Sequence, residues 1–134
     1  MRNIDKIIIH CTATPYGRHV TVADVDAWHR ARGFNSIGYH YLIYTDGSVH
    51  AGRPESIIGA HCRGHNASSI GIAYVGGLGP DGQPSDTRTP AQRLALRQLV
   101  LTLLTRYPRA GVHGHREFAA KACPCFDVRK EDWT

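Results

Sequence analysis

The sequence predicts an α/β fold: a single domain, residues 1–134, in which helices flank a mixed central β-sheet. Short β-branched runs alternate with two stretches of helical spacing, and one hairpin lies among the strands. The length also suits one compact domain. A domain of this size does not need a metal merely to fold, so a bound metal would serve chemistry.

The first half of the chain predicts a strand, a helix and a hairpin. Residues 4–11 are β-branched and bounded by polar residues, as buried strands are. The helix begins at Thr21, whose hydroxyl can cap the first turn, and ends at Gly33. The hairpin comprises strand 39–44, a two-residue turn at Asp46 and Gly47, and strand 48–51.

The second half predicts two more strands around a second helix. Thr89 caps this helix and Pro90 occupies its first position, while Pro108 stops it after about Tyr107. The remaining segments are a strand at 70–75, a glycine- and proline-rich surface loop at 76–88, a short strand at 111–114 and an irregular segment at 121–127.

Charge and hydropathy narrow the function classes. The net charge is +5, but Lys and Arg are scattered and no nucleic-acid-binding motif occurs, so we expect no nucleic-acid partner. No apolar run is long enough to span a membrane, so we expect no membrane insertion. The N-terminus shows no signal peptide, and we expect the protein to fold in the cytoplasm with reduced thiols. Four cysteines there indicate metal ligation or burial rather than disulfides.

Histidines and cysteines form the candidate metal centre. His10 ends the first strand, His115 follows the last one, and Cys123 lies just beyond it. Two imidazoles and a thiolate suit zinc, and three protein ligands leave a position open for catalysis. Spacing alone does not fix this set. His113 and Cys125 lie two residues from His115 and Cys123, and those four together would form a closed, structural site.

Five motifs, together and in this order, resemble the N-acetylmuramoyl-L-alanine amidase family of phage endolysins and peptidoglycan recognition proteins. The resemblance covers nearly the whole chain and is strongest to small phage lysozymes of amidase type. The motifs are IIIHCTAT (7–14), GYHYLIYTDGSV (38–49), GAHCRGHNASSIGIAYVGG (59–77), TPAQ (89–92) and GHREFAAKACPCFD (114–127).

The resemblance implies a ligand set and two catalytic residues. His10, His115 and Cys123 match the ligands of one zinc ion, which leaves His113 outside the set, and it gives Cys125 no role. Tyr39 and Lys121 match the catalytic tyrosine and lysine. We hypothesise that Lys121 supplies positive charge to the oxyanion, and that Tyr39 orients the attacking water or assists its proton transfer.

Two further residues, His61 and Asn66, lie in a glycine-flanked loop and are predicted to line the substrate groove. The alternative is a turn whose side chains satisfy local backbone groups. His40 and Cys11 each follow a site residue along a strand, so we expect both to face away from the site. Cys62 is expected to be a small buried residue.

The activity implied by the resemblance is hydrolysis of the amide bond between N-acetylmuramic acid and L-alanine in peptidoglycan. We expect a monomeric phage or prophage endolysin that waits in the host cytoplasm until it is released to the cell wall. Some small phage members also bind the phage RNA polymerase. Only a few residues precede the first predicted strand here, and no feature of the sequence supports that second role. A relative that binds peptidoglycan without cutting it is a rival, against which the retained Cys123 argues.

Overall fold

The computed structural model describes residues 2–134. Within this range it contains two α-helices and seven β-strands, with three short 3₁₀ turns at Asn66–Ser68, His115–Glu117 and Val128–Lys130. In chain order the elements are β1 (Lys6–Cys11), β2 (Thr14–Pro15), α1 (Val22–Ala31), β3 (Tyr41–Ile43), β4 (Val49–Ala51), β5 (Ser69–Tyr74), β6 (Gly77–Leu78), α2 (Pro90–Arg106) and β7 (Gly111–Gly114).

A five-stranded sheet organises the molecule, and its strand order is β4-β3-β5-β1-β7. Strand β4 runs antiparallel to β3, and all other pairings are parallel, so the sheet is mixed as predicted. Strand β1 lies between β5 and β7, and its parallel register pairs Ile9 with Gly114. This pairing brings the end of β1 beside the segment that follows β7.

The two faces of the sheet have separate cores. Alternate residues of β1, namely Ile7, Ile9 and Cys11, pack with the buried face of α2. On the other face, Val25 of α1 packs with Leu42 of β3 and Ala73 of β5. Ile8 and His10 of β1 are buried on this second face by alternation. None of the helices within residues 2–134 is long and apolar enough to cross a membrane.

Both helix starts have the predicted caps. Thr21 and Asp24 form a reciprocal capping box on α1, and Gly33, with φ +95°, follows its C-cap. Thr89 and Gln92 form the same arrangement on α2, in which each side chain bonds the backbone N–H of the other residue. Both caps are thus confirmed. They could be predicted because a cap depends only on neighbours in sequence.

Two local predictions were wrong. The hairpin turn has three residues rather than two: Tyr44 and Ser48 still pair, and Gly47 adopts a φ of +87° that glycine tolerates best. The predicted surface loop 76–88 contains β6, which pairs in parallel with the two-residue strand β2. Strands this short carry too little side-chain periodicity to be read from sequence.

Candidate active site

Three donor atoms, one each from His10, His115 and Cys123, lie within 4.8 Å of one another. We call these three residues the donor group. His10 is the fifth residue of β1, and His115 opens the 3₁₀ turn directly after β7. The parallel pairing of β1 with β7 therefore brings together two histidines that are distant in sequence. Two imidazoles and a thiol at this separation fit the preferences of a zinc site, and three protein donors leave a coordination position open.

Hydrogen bonds to the Cys123 sulfur favour its thiolate form. The Cys11 backbone N–H donates to Cys123 Sγ over 3.2 Å. The pKa of the Cys123 thiol is lowered, chiefly by hydrogen bonding with the Cys11 side chain and also by this backbone bond, against an opposing effect of burial. A thiolate is the form in which cysteine binds metal.

Both imidazoles favour the neutral form, which has a lone pair to offer a metal. His10 is 1 % exposed, and burial lowers its pKa well below the usual value, with further repulsion from neighbouring histidines and Lys121. Burial also lowers the pKa of His115, and the positive charge of Lys121 adds to that effect. The donor set is thus prepared to bind a cation without first losing imidazole protons.

A cavity of about 710 Å³ opens beside these donors. Tyr39 and Lys121 both border it, together with the three donor residues. The Tyr39 ring centroid lies 5.1 Å from that of His10, and burial raises the pKa of Tyr39, so the phenol stays protonated at neutral pH. Lys121 is exposed at the rim. The cavity therefore presents a hydroxyl and an ammonium group near the donors.

His61 and Asn66 border the same cavity, but their polar atoms also bond to protein groups. His61 Nδ1 lies 2.8 Å from His10 Nε2, and burial lowers the pKa of His61 to about 3. The Asn66 side-chain oxygen accepts the backbone N–H groups of His61 and Cys62, each over 2.9 Å. Asn66 thus closes a local turn, as in the alternative weighed for this loop.

The four-residue closed site does not assemble. His113 Nδ1 lies 2.9 Å from a Glu117 carboxylate oxygen, away from the three donors. Cys125 Sγ contacts Cys11 Sγ at 3.8 Å and donates to the Gly77 carbonyl over 3.4 Å. Burial is the main reason that the pKa of Cys125 is raised to about 12, so this side chain packs as a neutral thiol.

Two residues expected to face away from the site follow the alternation of the strands. Cys11 packs in the α2 core, although its atoms also reach the cavity wall. His40 is fully buried outside the cavity lining, where its Nδ1 accepts the Gly71 backbone N–H and its Nε2 lies 2.8 Å from the Ile57 carbonyl oxygen. Cys62 is buried as predicted.

Sequence reasoning missed several residues of the cavity wall, namely His29, Arg32, Phe34, Arg63 and Phe118. His29 could have been found, because it lies four residues after Val25 on the buried stripe of α1, where an imidazole is unusual. Its Nδ1 accepts the Gly38 backbone N–H over 2.8 Å. The others lie in loops, for which sequence pattern gives no direction.

Comparison with known proteins agrees with this geometry. The profile of the family described as N-acetylmuramoyl-L-alanine amidase matches residues 1–126. The chain belongs to this family. The endolysin of Escherichia phage T7 is 43% identical over 126 residues, which cover 94% of this chain and 83% of that protein.

Relatives of this amidase include proteins from animals and a solved bacterial structure. A peptidoglycan-recognition protein of Drosophila melanogaster is 34% identical over 130 residues, which cover 93% of this chain and 70% of that one. The amidase LysC from Clostridium intestinale superposes with a TM-score of 0.80 at 31% identity, over 92% of this chain and 77% of LysC. The chain is therefore an N-acetylmuramoyl-L-alanine amidase with the α/β fold of these proteins.

Proposed function

We propose that this amidase is a zinc-dependent endolysin that cleaves the bond between N-acetylmuramic acid and L-alanine in bacterial peptidoglycan. The observation that carries the proposal is the convergence of His10, His115 and Cys123, with donor atoms within 4.8 Å, at the wall of an open cavity. Similarity to phage endolysins supports the cell wall as the place of action.

The proposed reaction assigns one task to each group. Zinc held by the three donors would polarise the scissile carbonyl and make water a better nucleophile. Tyr39, a protonated phenol near His10, would orient that water or assist its proton transfer. Lys121 at the rim would stabilise the negative charge that develops on the carbonyl oxygen. The buried imidazole of His10 and the half-buried imidazole of His115 would stay neutral and so keep their lone pairs for the metal.

The decisive experiment measures zinc content and product chemistry together, for the wild type and Cys123→Ala. Purified peptidoglycan is incubated with each protein, and newly formed L-alanine amino termini are counted. We expect about one zinc ion per wild-type chain with new termini, and neither for Cys123→Ala. Cys125→Ala is the matched control, because it removes a thiol two residues away that packs outside the donor group.

Three outcomes would contradict the proposal. A wild-type protein that binds zinc and peptidoglycan but yields no new L-alanine termini would make the chain a binding protein. Zinc loss in Cys125→Ala with zinc retained in Cys123→Ala would identify a different ligand set. Full activity of zinc-free wild type would remove the metal from the mechanism.

A further inference from the structure

His10, His61 and Ser69 form a continuous chain of polar contacts behind the donor group. His10 Nε2 lies 2.8 Å from His61 Nδ1, and the two rings meet edge to face at 89°. At the far end of the second ring, His61 Nε2 lies 3.2 Å from Ser69 Oγ. Ser69 is fully buried on β5, so the chain ends inside the protein and not in solvent.

The His61 ring lies in a space that two glycines leave open. A Cβ atom at Gly71 would lie 2.6 Å from Cγ of His61, and one at Gly59 would lie 2.7 Å from its Cδ2. Both distances are shorter than the contacts that real Cβ atoms make, so the ring can occupy this space only because both residues are glycines. The Asn66 side-chain oxygen accepts the His61 backbone N–H and so fixes the backbone at this residue. The ring position is therefore determined by Gly59, Asn66 and Gly71 together.

The direction of the hydrogen bonds follows from imidazole chemistry. A neutral imidazole has one N–H donor and one acceptor nitrogen, so the chain can run in only two directions. If His10 donates from Nε2 to His61 and His61 donates to Ser69, His10 keeps an unprotonated Nδ1. In the reverse direction His10 carries its proton on Nδ1, and neither of its nitrogens is free for a cation.

We infer that His61 is a positioning residue for His10: it accepts the Nε2 proton of His10 and keeps the other ring nitrogen free to bind zinc. The inference rests on the proposed zinc site and gives His61 a different role from groove lining. Both His61 ring nitrogens are within hydrogen-bonding distance of protein groups, which leaves neither available to a substrate. Partners that orient a ligating histidine typically change metal affinity by about 10–100-fold when removed.

The test compares His61→Leu with His61→Asn. Leucine removes the acceptor, whereas an asparagine side-chain oxygen can replace His61 Nδ1 as the acceptor for His10. The zinc dissociation constant is measured at fixed pH by competition with a chromophoric chelator, and kcat and KM are measured on peptidoglycan fragments. We expect zinc binding to weaken on the order of 10–100-fold in His61→Leu and to recover most of that loss in His61→Asn. His19→Ala, which removes an exposed imidazole, is the matched control.

Ser69→Ala provides a second, milder variant, because it removes only the last member of the chain and keeps the His61 ring. We expect a smaller loss of zinc affinity in the same direction. The inference is overturned if His61→Leu binds zinc as tightly as the wild type and shows only a raised KM, which is the result for a substrate contact. It is also overturned if His61→Asn binds zinc no better than His61→Leu. Should His61→Leu fail to fold, wild-type zinc affinity in Ser69→Ala, or loss of zinc affinity in a folded His61→Asn, would overturn it. Failure of the wild type to bind zinc would instead contradict the proposed function.

Discussion

The thiol pKa differs among three neighbouring cysteines, of which one, Cys123, belongs to the donor group. The pKa of Cys123 is lowered, whereas hydrogen bonding to Cys123 and burial raise that of Cys11, and burial raises that of Cys125 to about 12. The local environment therefore favours one thiolate among three thiols that lie close together. Residue type alone could not single out Cys123 as the candidate ligand, because Cys123 and Cys125 share the same short segment and differ only in their partners.

Lys121→Ala should separate metal binding from catalysis. The side chain borders the cavity and its positive charge lowers the pKa of His115, but Lys121 is not one of the three donors. We expect zinc content to stay at the wild-type level while kcat falls on the order of a hundredfold, because a fixed stabiliser of the oxyanion is lost. Zinc analysis and steady-state kinetics measure the two effects. Lys130→Ala removes an exposed lysine elsewhere and serves as the control. A wild-type kcat in Lys121→Ala would refute the proposed stabilisation of the oxyanion by Lys121.

His40 should make the metal-free protein less stable in mild acid. Burial lowers the pKa of His40, and its Nδ1 accepts the Gly71 backbone N–H. Protonation of Nδ1 would break this hydrogen bond, because two N–H donors would then face each other. The unfolded state then binds the proton more readily, and stability falls as the pH drops below about 6.5. We expect His40 to contribute a loss of up to about 2 kcal/mol between pH 7.5 and pH 5.

Urea unfolding of the metal-free wild type and His40→Asn at both pH values measures this contribution. Asparagine can still accept the Gly71 N–H but does not titrate in this range. We expect the variant to be less stable at pH 7.5 and to lose less stability on acidification. Equal losses in the two proteins would show that His40 does not contribute.

At the scale of elements, α2 is joined to the sheet by a buried amide as well as by its apolar face. Gln92 is fully buried, and its Nε2 donates to the carbonyl oxygens of Ile43 on β3 and of Val75 directly after β5. Its Oε1 also completes the capping box with Thr89. One side chain therefore sets both the start of the helix and its position over two strands.

Gln92→Leu should lower the free energy of unfolding by roughly 1–3 kcal/mol, because buried backbone groups lose their hydrogen-bond partners while side-chain volume is nearly kept. Gln98→Leu makes the same substitution at an exposed position of α2 and should change stability little. Urea or thermal unfolding of both variants provides the comparison. A Gln92→Leu protein as stable as Gln98→Leu would contradict this account.

At the scale of the whole molecule, local features could be predicted from sequence and most long-range ones could not. The helix caps at Thr21 and Thr89 depend on residues three positions away, and both were predicted correctly from the sequence. The choice between His113 and His115 depends on the register of β7 against β1, which spacing does not encode. The contact of His61 with His10 spans 51 residues and relies on space left by Gly59 and Gly71. Family resemblance supplied the candidate ligand set that the residues alone left open.

Chelation should abolish activity without unfolding the chain. The two hydrophobic cores lie on opposite faces of the sheet and involve both helices, so the fold does not depend on a bound ion. We expect EDTA to remove lytic activity, zinc addition to restore it, and the far-ultraviolet circular dichroism signal to keep most of its helical intensity. A cooperative loss of that signal on chelation would indicate a structural metal, as in zinc-finger proteins.

The exposed turn at residues 80–85 separates β6 from α2, and it divides the donor group unequally. A break there would leave His10 on one fragment and both His115 and Cys123 on the other, with β1 and β7 as the complementary surfaces. Neither fragment alone would hold three donors. Recovery of tight zinc binding on mixing the fragments would therefore serve as a sensor of their reassembly, and fusing them to two interacting proteins would convert that association into a measurable lytic signal.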